Sequence, residues 1–166
     1  MQQSFDDLSF WHSTLPGEWQ PQERLDGDLD VDVAIAGAGY TGLWTAYYLL
    51  RERPDLRIAI VERFVVGFGA SGRNGGWASA IFPASLHCMA KRSSREAARS
   101  MQIEMNATVR ELANVIAEER IDCDFEQNGY VAMARNSAQV QNARAEIAEW
   151  QSWGFGDDQI RWLDAD

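Results

Sequence analysis

The chain is poor in the residues that bind metals or form disulfides: two cysteines (Cys88, Cys123) and two histidines (His12, His87) in 166 positions. Two thiols cannot staple a scaffold, and neither sits at zinc-site spacing, so buried or half-buried free thiols are the ordinary reading. Neither histidine has a metal partner at ligand spacing, and packing or surface roles suffice for both. There is no G-x-S-x-G, which removes the usual nucleophile turn of a serine hydrolase. The N-terminus, MQQSFDDLSFW, has no basic region leading into an apolar stretch, so no secretory signal is expected. No internal repeat or low-complexity run is present.

Positive charge is also scarce, with 15 Lys and Arg against 25 Asp and Glu, a net charge of −10. A nucleic-acid binder that relies on a basic field is excluded. The imbalance is local. Residues 1–32 hold eight acids and one base, Arg24, whereas the other 134 residues are nearly balanced. A uniform polyanion is excluded too, and 46% hydrophobic with 24% charged residues is a globular composition. Residues 33–50 are uncharged for eighteen positions, but Gly37, Gly39 and Gly42 fit a turn better than a lipid-facing helix. A soluble, cytoplasmic protein with no membrane partner is expected.

What is there begins with an arm. Residues 1–30 carry Pro16, Pro21, scattered acids and the aromatics Phe5, Phe10, Trp11 and Trp19, which suggest a segment laid onto a body. Residues 31–36 (VDVAIA) then read as a strand, 40–53 as a helix stopped by Pro54, and 57–62 (RIAIVE) as a second strand. This is one βαβ unit with parallel neighbours. Residues 63–83 form a long loop with five glycines, of the kind that is usually functional.

A helical region follows. Ser93 with Glu96 matches a capping box, and Met101, Met105, Thr108/Val109, Leu112 and Val115/Ile116 form an apolar stripe for one core-facing side. Lys91, Arg92, Arg95 and Arg99 read as a solvated helix face, and Trp44, Tyr47 and Tyr48 as packing residues. Residues 123–127, Asn128-Gly129 and 130–134 suggest a hairpin with a type I′ turn. Asn136 with Gln139 caps a further helix ending near Trp153, with Gly154 as its left-handed stop. Residues 160–163 suggest one more strand.

Gly37-Ala38-Gly39-Tyr40-Thr41-Gly42 is a G-x-G-x-x-G with a strand before it, a helix after it, and Glu62 at the end of the next strand. Gly37 turns out of the strand, Gly39 admits a pyrophosphate to the backbone, and Gly42 with Ala46 lets the helix lie close to the sheet. The helix N-terminus offers N–H groups and about half a positive charge to phosphates. Glu62 would accept a ribose diol and disfavour a 2′-phosphate. These features alone do not separate NAD from FAD. Next comes Gly67-Phe68-Gly69-Ala70-Ser71-Gly72-Arg73-Asn74-Gly75-Gly76, where a plain NAD unit would begin a helix. Such a loop can bring backbone N–H groups, a guanidinium and an amide to an extended cofactor.

GAGYTGLWTAYYL, then ER, then GFGASGRNGGW resembles the FAD-dependent amine and amino-acid oxidases of the D-amino-acid oxidase superfamily, and within it the gamma-glutamylputrescine oxidoreductase-like branch. SFWHSTLP resembles that branch's N-terminal arm. The resemblance implies an α/β fold: the N-terminal part of a Rossmann-like, glutathione-reductase-type FAD domain, with the start of an α+β substrate domain. The implied divisions are an arm (1–30), the βαβ unit with its flavin loop (31–90), and helices with a hairpin (91–166). It implies FAD as cofactor, an amine or amino acid as substrate, hydride transfer from the carbon bearing the amine, and dioxygen or another carrier as electron acceptor.

By resemblance, Gly37, Ala38, Gly39, Tyr40, Thr41 and Gly42 meet the pyrophosphate, Glu62 the adenosine ribose, and Arg63 the adenine. Gly69, Ala70, Ser71, Arg73, Asn74, Gly75 and Gly76 line the path to the flavin. No catalytic residue or metal ligand is assigned. No histidine lies in 63–83, so a covalent flavin link through histidine in this loop is not expected. The family's third parallel strand and its late glycine segment are missing. The chain is therefore expected to be a fragment that binds flavin weakly or not at all and does not turn over. An NAD-linked dehydrogenase and a non-catalytic nucleotide-binding or protein-binding module are the competing readings.

Overall fold

The computed structural model describes residues 5, 8–15 and 21–164. Its elements run α1 (Phe10–Thr14), β1 (Val33–Ala36), α2 (Tyr40–Glu52), β2 (Ile58–Val61), a 3₁₀ turn (Ala70–Gly72), α3 (Leu86–Arg92), α4 (Arg95–Glu118) and α5 (Ser137–Ser152). The chain divides into two compact units, Met1–Trp77 and Ala78–Asp166.

In the first unit β1 and β2 pair in parallel, with Val33 opposite Ile58 and Ala36 opposite Val61. α2 crosses between them, as the β-branched runs and the intervening helix require. The register is pinned at one end by Asp32, whose carboxylate accepts from the Arg57 backbone N–H (2.8 Å) and faces its guanidinium. Those bonds hold the Asp32 carboxyl below its ordinary pKa. At the other end Gly37 N–H donates to the Val61 carbonyl at 2.8 Å. α2 buries Gly42 and Ala46. A Cβ on Gly42 would stand 2.1 Å from the Gly37 carbonyl oxygen and 3.1 Å from Ile35 Cγ2, so only glycine permits this approach. Trp44, Tyr47 and Tyr48 form one aromatic cluster on α2, with Trp44 stacked on Tyr48 at 5.5 Å. Trp44 and Tyr47 are half-buried and Tyr48 is exposed.

In the second unit three side chains cap three helices: Ser85 accepts from Cys88 N–H, Ser94 from Ala97 N–H, and Asn136 from Gln139 N–H. The cap of α4 is thus Ser94, one residue after the expected Ser93, because Ser93 ends a short helix that the sequence reading merged with α4. The core is Leu86, Ala98, Trp153 and Phe155, with Met89, Ala90, Ile103 and Trp150 packed against it. The buried row of α4 is therefore Ala98, Gln102 and Val115. Met101, expected to lead the stripe, is exposed. Gln102 takes the buried place because its amide donates to the Ala80 carbonyl (2.9 Å) and to Asn106 (3.1 Å).

α5 ends in a full Schellman motif. Phe155 N–H bonds the Trp150 carbonyl, Gly154 N–H bonds that of Gln151, and the Trp150 and Phe155 rings meet at 5.1 Å. Gly154 has φ +81°, as its expected role demands. Two of the four basic residues expected on a solvated face are engaged instead. The Arg95 guanidinium lies 4.0 Å from the Trp153 ring centroid, and Arg99 donates to the Trp153 carbonyl while covering Phe155. A cation over an indole gains attraction beyond its area, which helix periodicity does not report.

Two expected features are absent among the described residues. Residues 123–134 contain no strand. Gly129 has positive φ but Asn128 does not, so the type I′ turn lacks one of its two required residues. Val131 and Met133 are 70% and 84% exposed, which leaves a hairpin without the burial it needs to be stable. Residues 160–163 are also irregular: Ile160 N–H turns back to the Gly156 carbonyl, and Trp162 lies under the Arg144 guanidinium. In the arm, Phe5 is buried, Trp11 bonds the body and Phe10 is exposed, while Trp19 lies outside the described residues.

Gly154→Ala places a side chain in left-handed backbone with ordinary space around it, so strain alone should cost about 1–2 kcal/mol. Asn136→Ala, at the other end of α5, should cost about 1 kcal/mol. Urea unfolding followed by helix circular dichroism should find the two losses additive, because the sites are separated by the helix's length of about 24 Å.

Candidate nucleotide-binding site

The turn between β1 and α2 is held from two sides. Gly37 leaves the strand with φ +101°, a conformation that glycine adopts at little cost. Ala38, only 3% exposed, donates its N–H to Glu62 Oε2 at 2.9 Å and accepts Gly67 N–H at 3.0 Å on its carbonyl. Gly39 caps α2 without a side chain, and there is no acid in the first turn. No acid within α2 itself therefore offsets the positive end of the helix, and the nearest carboxylate is that of Glu62 on the Ala38 N–H.

The second glycine loop folds back onto this turn. Ser71 Oγ accepts Tyr40 N–H at 3.0 Å, and the Asn74 amide donates to the Tyr40 hydroxyl (3.3 Å) and the Ser71 carbonyl. Asn74 Oδ1 accepts Gly76 N–H at 2.8 Å. Three hydrogen bonds therefore join segments some thirty residues apart: Gly67 to Ala38, Tyr40 to Ser71, and Asn74 to Tyr40. A Cβ on Gly39 would stand 2.9 Å from Ser71 Oγ, so this glycine is needed for the closure as well as for any ligand. At Gly69 and Gly75 a Cβ would meet nothing, and the loop is open there.

Glu62 is half-buried at the end of β2, where sequence spacing put it. Its second oxygen accepts Phe64 N–H at 3.2 Å. Bonds from Ala38 and then Phe64 and Arg63 hold its carboxyl below the ordinary value, against an opposing effect of burial. A carboxylate has about four acceptor positions, so these backbone bonds leave it capacity for a further donor. Arg63 is exposed, with its guanidinium 5.2 Å from the Phe64 centroid. Arg73 donates to the Phe68 carbonyl and lies 5.0 Å from the Phe68 centroid. The Phe64 and Phe68 rings meet at 4.2 Å.

The structure thus brings Gly37–Gly42, Glu62, Ser71 and Asn74 into one bonded arrangement. Thr41 is exposed in the first turn of α2, and Ala70 opens the 3₁₀ turn. Arg63 and Arg73 lie beside Phe64 and Phe68 respectively, whose rings meet. The sequence reading missed the Tyr40 hydroxyl as a tie between loops, and it missed Phe64 and Phe68. Two phenylalanines four positions apart, at the start of a glycine-rich stretch, were the available signal.

Because the folded-state pKa of Glu62 lies below its unfolded one, its contribution to stability is complete above about pH 4.5 and lost as pH falls through the lower folded value. The stability gap between the native chain and Glu62→Gln should therefore be constant above about pH 5 and narrow as pH falls from about 5 toward 3 and below. Urea midpoints across that range check this, and a constant gap would show that the carboxylate charge is irrelevant to the turn.

A family model described as FAD dependent oxidoreductase (DAO) matches residues 32–166. The gamma-glutamylputrescine oxidoreductase of Escherichia coli (strain K12) is 31% identical over 164 residues, covering 96% of this chain and 36% of that protein. A thiamine thiazole synthase of Aspergillus oryzae is 49% identical over 59 residues, 36% of this chain and 18% of that protein. Another, from Ajellomyces capsulatus, is 38% identical over 82 residues, 46% of this chain and 25% of that protein. The chain therefore spans about a third or less of the length of these relatives. No solved structure matches it.

Proposed function

The chain belongs to the FAD-dependent oxidoreductase family, and from that membership we propose that it builds the adenosine and pyrophosphate end of the flavin site in an enzyme that oxidises a carbon–nitrogen bond of an amine or amino acid. FAD is the family's cofactor, so the nicotinamide reading gives way. The observation that carries the proposal is the bonded pair of glycine loops around the N-terminus of α2, with Glu62 closing one side. The residues fit the group. The first turn of α2 carries no acid, the loop is open at Gly69 and Gly75, and Glu62 retains acceptor capacity as an anion.

In this reading Gly37, Ala38, Gly39, Tyr40, Thr41 and Gly42 bring backbone and the helix N-terminus to the diphosphate. Glu62 accepts the adenosine ribose hydroxyls and repels a 2′-phosphate. Arg63 flanks the adenine. Gly69, Ala70, Ser71, Arg73, Asn74, Gly75 and Gly76 line the path toward the flavin, where small residues let the backbone come close. When bound, FAD supplies the acceptor for the hydride leaving the substrate carbon, with dioxygen as the proposed final oxidant. An amine substrate is supported by the E. coli relative, which is named for gamma-glutamylputrescine.

The enzyme that carries this chain should purify with a visible flavin band. Anaerobic addition of an amine or amino acid should bleach the band, and air should restore it with release of hydrogen peroxide. A flavin that no amine or amino acid reduces would favour a non-catalytic nucleotide-binding role, and restoration without peroxide would indicate another acceptor. Glu62→Ala should raise the Kd for FAD about tenfold or more, as expected for loss of hydrogen bonds to a charged group.

A further inference from the structure

We propose that the N-terminal arm is a clasp that sets the conformation of the glycine-rich loop, with Trp11 and His12 as positioning residues for the cofactor. The inference rests on the flavin reading above for the identity of the ligand, but not for the contact itself. The arm places three aromatic residues on one short stretch. The Trp11 indole N–H donates to the Asn74 carbonyl at 2.7 Å, across 63 residues of sequence. The Trp11 ring lies so close to Gly76 that a Cβ there would sit 2.6 Å from Cζ2. His12 is 3% exposed, its Nδ1 bonded to Ser9 Oγ at 2.7 Å, and its Cε1 would stand 2.8 Å from a Cβ on Gly72. Phe5, also buried, meets Phe68 edge-on at 6.5 Å.

These contacts fall on both sides of Arg73 and Asn74. Glycine loses the most freedom on ordering, so a stretch with Gly69, Gly72, Gly75 and Gly76 samples many conformations unless something outside it holds it. Within the stretch, Asn74 is the residue fixed in both directions. Its carbonyl is held by Trp11, and its side chain reaches Ser71, Gly76 and the Tyr40 hydroxyl at the start of α2. A line of hydrogen bonds thus runs from the arm through Asn74 to the helix end that faces the diphosphate. A loop ordered before the cofactor arrives does not have to be ordered by it, and this raises affinity without any contact between arm and cofactor.

Backbone hydrogen exchange on the full chain without FAD tests the clasp directly. Trp11→Phe keeps an aromatic ring, though a smaller one, and removes the donor, and should speed exchange of the amides of residues 71–77 about three- to tenfold. Trp11→Ala should speed it further, with the amides of β1 and β2 unchanged. If Trp11→Ala loosens the strands as well, Trp11→Phe decides. Gly76→Ala should do less additional harm in Trp11→Ala than in the native chain, since its backbone strain is common to both and cancels in the cycle. FAD titration of the enzyme that carries this chain, with the same substitutions, should show Kd rising in the same order.

Unchanged loop exchange in both Trp11 variants overturns the clasp. Faster loop exchange with unchanged FAD affinity overturns the positioning role. Failure of that enzyme to bind FAD counts against the cofactor reading, and the exchange pattern then still decides whether the arm orders the loop.

Discussion

The backbone of Ala38 is the joint on which the first unit depends. Its N–H is held by Glu62 from the end of β2, and its carbonyl by Gly67 from the start of the glycine loop. One buried residue therefore connects both strands of the βαβ unit and the segment that follows it. Backbone groups at such a crossing cannot reach water, so each needs a partner within the protein. The same carboxylate that closes the turn is the one proposed to receive a ribose, and the charged form suits both.

Small residues are concentrated where chain segments approach one another most closely. Gly42 lets α2 sit on the Gly37 carbonyl, Gly39 admits Ser71, and Gly72 and Gly76 admit His12 and Trp11. Close approach explains these glycines without any ligand, while the openness at Gly69 and Gly75 is what leaves room for one. The second unit is organised on different terms, by side-chain caps at three helix starts and by arginines laid over aromatic rings.

Much of the candidate site was legible because its signals are local. The order of strand, glycine turn, helix, strand and acid is written within thirty residues, and each step follows from backbone sterics or from the period of apolar positions. The start and stop of α5 were legible for the same reason, since Asn136 and Gly154 act on their immediate neighbours. The failures involve distance or competition. Asn128-Gly129 has hairpin chemistry but no burial to support it, and the α4 stripe fails at its first member, where Met101 is exposed and Gln102 is buried while Met105, Val109, Leu112, Val115 and Ile116 turn inward as expected.

The sequence by itself determined the glycine turn between β1 and α2, the acid that follows β2 and the glycine-rich loop after it, since glycine, charge and β-branching act through bonds and contacts a few residues long. Only the tertiary structure decided what those glycines touch. It decided that Tyr40 and Asn74 tie the two loops together, that Arg95 and Arg99 cover rings instead of facing water, and that Trp11 and His12 reach the loop from more than sixty and about sixty residues away. Such contacts depend on where the folded backbone brings side chains together, and no spacing along the chain encodes that.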